Sequence, residues 1–150
     1  MKKLLLILMF TVLSFAQTIK IGDTLPTITL QDQFEKTHTV SPQSKRILVA
    51  FDKDASDIIK EFLLKKEGDF LTKNQTVYIG DISGMPSLIS KFFAIPKMKK
   101  YPFSILFLDD KNREVFSKKE DMISVYTLKD GKINNLSHIS TKEELSKLFN

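Results

Sequence analysis

Apolar positions along this chain change their period several times, and each change marks a predicted element. Ile47 to Phe51 is an unbroken apolar run rich in branched side chains, which predicts a strand buried on both faces. Asp52, Lys53 and Asp54 follow at once, and then Ile58, Ile59, Phe62 and Leu63 recur at helical spacing. That pattern predicts a helix over about Ala55 to Lys66, capped by Ser56. Upstream, Thr27 to Leu30 and Thr37 to Val40 alternate around a bend at Phe34, Glu35 and Lys36, which predicts a short hairpin.

Downstream, Val77 to Ile79 reads as a second buried strand. Pro86 stands where a helix can begin, Leu88, Ile89, Phe92 and Phe93 follow at helical spacing, and Pro96 is expected to end that helix. Ser104 to Leu108 is a third strand, closed by Asp109 and Asp110. Ile123 to Leu128 and Lys132 to Ile139 flank Asp130-Gly131, a strong two-residue hairpin signal. Thr141, with Glu144 three residues on, forms a capping box for a last helix bearing Leu145, Leu148 and Phe149. Early strand–helix alternation implies parallel crossovers, and the late hairpin implies antiparallel strands. The class expected is therefore α/β, a mixed sheet with helices on both faces.

The first residues carry a different pattern. Lys2 and Lys3 precede an apolar run from Leu4 to Phe15, and Ser14-Phe15-Ala16 forms a small-x-small cleavage site before Gln17. This is the layout of a secretory leader, too short at about a dozen apolar residues to span a bilayer. Residues 1–16 are thus expected to be a signal peptide and residues 17–150 one domain, exported to the periplasm or beyond by a bacterium, with no stable membrane insertion after cleavage. Removing Lys2 and Lys3 takes the formal charge from +5 to +3. The absence of a concentrated basic face in that reading argues against a nucleic-acid partner.

Cysteine usage changes the picture most. The 150 residues contain none, which removes every thiol mechanism and every disulfide in a compartment that permits them. His38 and His138 have no second ligand at a diagnostic spacing, so they read as ladder or surface residues. Gly80, Gly84 and Gly131 form no phosphate-binding fingerprint, and no cofactor is expected.

With these residues in place a resemblance emerges. Gly22-Asp23-Thr24-Leu25-Pro26, followed by Thr29-Leu30-Gln31-Asp32-Gln33, resembles the opening of peroxiredoxins and related thioredoxin-fold proteins. Val125 to Ile133 and Thr141 to Leu145 resemble their closing hairpin and helix. Lys99-Lys100-Tyr101-Pro102-Phe103-Ser104 is similar to a step in the YtfJ family of exported thioredoxin-like proteins. The resemblance implies a thioredoxin-like three-layer α/β/α sandwich with a mixed central sheet and an N-terminal β-hairpin. It also implies a reactive thiol where this chain has Asp52 to Ser56, and a cis-proline where it has Asp121-Met122. Neither a cysteine nor a proline stands at those positions, so no redox role carries over and no thiol oxidoreductase activity is expected.

Two further constellations each admit two readings. Asp52 and Asp54 after an apolar strand resemble the first motif of magnesium-dependent haloacid-dehalogenase-type phosphatases, with Asp109 and Asp110 as the metal-binding pair and Ser83, Lys97 or Lys99 on the phosphate. Equally, carboxylates belong where a chain leaves the core beside a helix N-terminus. Lys91, Lys97, Lys99 and Lys100 interleave with Phe92, Phe93, Tyr101 and Phe103, either as a basic-aromatic patch for an anionic partner or membrane surface, or as a solvated edge whose phenylalanines face the core. The function expected overall is non-catalytic recognition of an exported protein or peptide. The expected groove is formed by Asp52, Lys53, Asp54, Ser56, Ser83, Met85, Pro86 and Met122.

Overall fold

A computed structural model describes residues 17–150, so the leader expected over residues 1–16 lies outside the described residues. Seven strands form one sheet: β1 (Thr29–Asp32), β2 (Thr37–Thr39), β3 (Arg46–Ala50), β4 (Thr76–Gly80), β5 (Leu106–Phe107), β6 (Ile123–Lys129) and β7 (Lys132–Ile139). Their spatial order is β2-β1-β5-β4-β3-β6-β7. The middle three run parallel, while the β6–β7 hairpin and the β1–β2 hairpin join antiparallel on opposite sides. Helices α1 (Lys53–Leu63), α2 (Phe70–Lys73), α3 (Ser87–Ile89), α4 (Ile95–Met98) and α5 (Lys142–Lys147) connect or close the strands. None is long and apolar enough to cross a membrane among the described residues.

Strand β3 is buried on both faces, as its composition requires. Ile47, Val49 and Phe51 enter one apolar cluster with Tyr126, Leu128 and Ile133, while Leu48 and Ala50 enter the other with Val125, Ile123 and Ile139. The second cluster is roofed by α1 and α5 through Ala55, Ile59, Phe62, Leu63 and Leu145. The first is roofed by the lead-in residues Ile19, Leu25 and Ile28 and by Val115 and Phe116, around a 3₁₀ turn over Arg113–Val115. Each layer thus buries the apolar stripe that a period of two leaves on each side of a strand.

Turn chemistry sets the connections. Asp130 and Gly131 both take positive φ, 53° and 76°, as the tight hairpin turn between β6 and β7 requires. A Cβ on Gly68 would stand 3.0 Å from the Pro102 carbonyl oxygen, so any larger residue there requires the Pro102 loop to give way by a few tenths of an ångström. Asp32 and Gln33, from the opening motif, are buried and work as structural clamps. Asp32 Oδ1 accepts from the Phe34 and Lys36 amides and Oδ2 pairs with His38 Nε2 at 2.6 Å, closing the β1–β2 bend. Gln33 donates to the Phe103 and Met98 carbonyls and accepts from the Ile105 amide at 2.9 Å, fastening the loop before β5.

Two boundaries differ from the sequence-based expectation. Ser56 is not the cap of α1. Asp52 holds that position, with Oδ1 accepting from the Ala55 amide at 3.0 Å, because the helix begins at Lys53, ahead of the apolar pattern that starts at Ile58. Pro96 does not end its helix either. A π turn over Ser90–Ala94 joins α3 to α4, and the Ile95 amide reaches back to Ser90. The widened turn carries the chain past the residue that lacks an N–H, and the helix runs on to Met98.

Candidate functional site

The corner where β3 ends is built from one carboxylate. Asp52 uses Oδ1 to cap α1, and its Oδ2 accepts from the Asp121 amide at 2.8 Å. Asp121 sits just before β6 with φ of 58°, a left-handed conformation that an aspartate tolerates better than most residues. Both oxygens of Asp52 are therefore committed to backbone donors, and the two loops at this end of the sheet are tied together. Asp121 itself is exposed but stands in a negative neighbourhood: slight desolvation, then Asp54, Asp52 and Glu120, push its carboxyl above the usual carboxylate range. No described peptide bond is cis.

Beside this corner lies an open cleft of about 530 Å³. Phe51, Tyr78 and Ile105 form its floor, Met85, Met98 and Tyr101 its walls, and Lys53, Lys60 and Lys97 its rim. Burial pushes the Tyr78 phenol up to about 12, with the Ser56 hydroxyl pulling the other way, so the ring presents a neutral donor at neutral pH. Asp57 is held below the usual carboxylate range by hydrogen bonds from Lys53 at 2.5 Å and Lys60 at 2.6 Å, which satisfy one another on the rim. Asp81 accepts from the Ser83 amide and from Arg113. Lys97 forms no ion pair among the described residues, and Lys53 and Lys60 share the single Asp57 carboxylate, so the rim lysines outnumber the acid that pairs with them.

Of the groove residues expected from sequence, Asp52, Lys53, Ser56 and Met85 line this cleft, while Asp54, Ser83, Pro86 and Met122 do not. Met85 comes from the loop after β4 and the others from the start of α1. Sequence reasoning missed Tyr78, Met98 and Tyr101. The alternation of β4 places Tyr78 on the α1 side, a signal that was legible; the positions of Met98 and Tyr101 depend on the helix continuing past Pro96.

The carboxylates expected to serve a metal-dependent phosphatase are not gathered at one site, so the structure does not support that reading. Strand β4 lies between β3 and β5, so Asp52 and Asp109 end strands two spacings, roughly 9–10 Å, apart. Asp109 Oδ1 instead accepts from the amide and the side chain of Asn112, and Asp110 pairs with Arg113. Among the described residues no cluster of three or more His, Asp or Glu could hold a metal ion. His138, on β7, keeps a buried Nε2 without a partner, and burial followed by Lys119 lowers its pKa; His38 serves Asp32 as described.

No known family model matches this chain, and no curated protein sequence does. Solved structures do. The thioredoxin domain of a thiol-disulfide oxidoreductase from Bacteroides vulgatus superposes with a TM-score of 0.53 at 17% identity, over 89% of this chain and 100% of that one. A thioredoxin-like protein from Porphyromonas gingivalis gives 0.52 at 14%, over 86% and 91%. A candidate thiol:disulfide interchange protein DsbE from Chlorobium tepidum gives 0.57 at 11%, over 88% and 96%. With the mixed seven-strand sheet and its corner at Asp52, these likenesses establish that the chain has the thioredoxin-like fold, carried by a sequence without a single cysteine.

Proposed function

We propose that this protein is an exported, YtfJ-like member of the thioredoxin-like proteins that recognises a partner polypeptide and performs no electron transfer. The observation that carries the reading is the pairing of a sealed corner with an open cleft. Asp52, which stands where the resemblance implies a thiol, has both carboxylate oxygens engaged by backbone amides. The apolar cleft next to it remains open between Tyr78, Met85 and Met98. The leader pattern over residues 1–16 supports export.

The chemistry of the cleft describes its occupant. An apolar floor with a tyrosine donor and a rim rich in lysine suits an extended segment that inserts one apolar side chain and carries an acidic residue beside it. Peptide selection against the full chain, followed by calorimetry, tests this. Selected peptides are expected to be apolar with an acidic neighbour, and Met85→Glu is expected to weaken them at least tenfold while leaving the circular dichroism spectrum unchanged. Peptides that bind Met85→Glu as tightly as the parent, or measurable disulfide reductase turnover by the chain itself, would overturn the reading.

A further inference from the structure

The helical segment that runs from α3 to α4 is inside out for a water-facing helix. Leu88, Ile89, Phe92 and Phe93 are 68%, 49%, 60% and 72% exposed, while the edge turned toward the body carries Ser90, Ala94 and Met98, which are half-buried. No residue from 81 to 100 is buried. Four large apolar side chains grouped on one outward face are a contact surface.

Charge says what covers it. From Ile82 to Leu108 the chain holds Lys91, Lys97, Lys99 and Lys100 and no acidic residue. The acids that bound this stretch are already engaged: Asp81 and Asp110 by Arg113, and Asp109 by Asn112. Lys91 folds back over the Phe92 ring, its ammonium 5.6 Å from the centroid, so its stem lies along the apolar face while its charge stays at the margin. A second copy docking by this face across a two-fold axis would bring four lysines toward four lysines with no acid to pair them. An anionic phospholipid surface supplies both components, acyl chains for the phenylalanines and headgroups for the lysines. Ser87 to Met98 lying in plane spans roughly 18 Å, suited to the interface and too short to cross.

We propose that this outward helix face seats the protein on an anionic phospholipid membrane as an in-plane, peripheral contact. The chain has no tryptophan, so Phe92→Trp in the full chain makes a single reporter on the helix itself. With vesicles of phosphatidylglycerol and phosphatidylethanolamine, its emission is expected to shift to the blue and to be quenched by brominated acyl chains. With pure phosphatidylcholine neither change is expected. Replacing Lys91, Lys97, Lys99 and Lys100 together by Gln is expected to reduce partition at least tenfold, each lysine near such a surface being a factor of roughly five, and salt near 0.5 M has the same direction of effect. A Phe34→Trp reporter on the exposed β1–β2 bend is expected to stay unshifted, which separates seating by the helix from attachment by any other part.

The proposal is overturned by vesicle binding that leaves the Phe92→Trp emission unchanged, or by an equal response to phosphatidylcholine. It is overturned as well by a concentration-dependent shift without lipid, which assigns the face to a second copy. A shift produced by a soluble acidic polypeptide and absent with vesicles assigns the face to a protein. Phe93→Trp repeats the measurement should the first reporter perturb the helix.

Discussion

Two helices of this protein carry the same apolar spacing and end in opposite environments. Ile58, Ile59, Phe62 and Leu63 on α1 and Leu88, Ile89, Phe92 and Phe93 on the α3–α4 segment recur at the same spacing, two adjacent residues and then two more four positions on. On α1 this stripe closes a core against Leu48, Ala50 and Tyr78, and on the other it faces outward. An apolar stripe specifies that a helix will be covered on one side. It does not say what covers it. The difference lies in how each helix is anchored: α1 begins on the carboxylate of Asp52 at the end of the central strand, whereas α3 begins at Pro86 with no side-chain cap, after a loop that leaves the sheet.

Substitution tests this contrast, most strongly in the core. Ile59→Ala should lower the unfolding free energy by about 2–5 kcal/mol in urea denaturation, while Phe92→Ala should leave it within about 0.5 kcal/mol. Comparable losses at the two sites would mean that the outward face is covered within the same molecule. Next, Asp52→Ala should cost about 1–2 kcal/mol as a lost helix cap, with Asp52→Asn retaining part of it. No loss at this position would show that α1 is held by packing alone.

Titration sharpens the comparison at the hairpin that fastens the end of the outward helix. Burial alone would raise the pKa of Asp32, but hydrogen bonds from His38, Phe34 and Lys36 outweigh it and hold the carboxyl below its ordinary value of 3.8. Its contribution to stability is therefore present above the unfolded pKa and is lost as pH falls through the lower folded value. Urea midpoints measured from pH 6 downward should fall more steeply for the parent than for Asp32→Asn. The smallest effect has the opposite sign. Asp121 has a raised pKa, so at neutral pH its charge opposes folding, and Asp121→Asn should raise the melting temperature at pH 7. That gain should vanish as pH falls through the raised folded value, where the parent carboxyl becomes neutral too.

Much of the sheet was legible because its signals are local. The run Ile47 to Phe51 can satisfy both faces only as a central strand, Asp130-Gly131 permits the positive φ that its turn needs, and Thr141 with Glu144 forms the capping box that the sequence spells out. The site was less legible because its geometry is set between elements. Asp52 and Ser56 are both good caps four residues apart, and only the true start of α1 separates them. Asp52 and Asp109 both follow buried strands, yet β4 stands between those strands. Pro96 is an ordinary helix stop unless a π turn absorbs it, and that turn needs no special residue. The outward helix face was the hardest to place, since nothing in its own spacing distinguishes it from the stripe on α1.

The Asp52–Asp121 bond converts the corner after the central strand into a fixed joint and leaves the cleft beside it as the place for recognition. Amide hydrogen exchange at Asp121 measures that bond directly. Protection in the parent is expected to be comparable with that of the β6 amides, and to fall at least tenfold in Asp52→Ala while β6 itself stays protected. Exchange at Asp121 at the rate of an unstructured chain in the parent, or protection that survives Asp52→Ala, would contradict a fixed joint made by this bond.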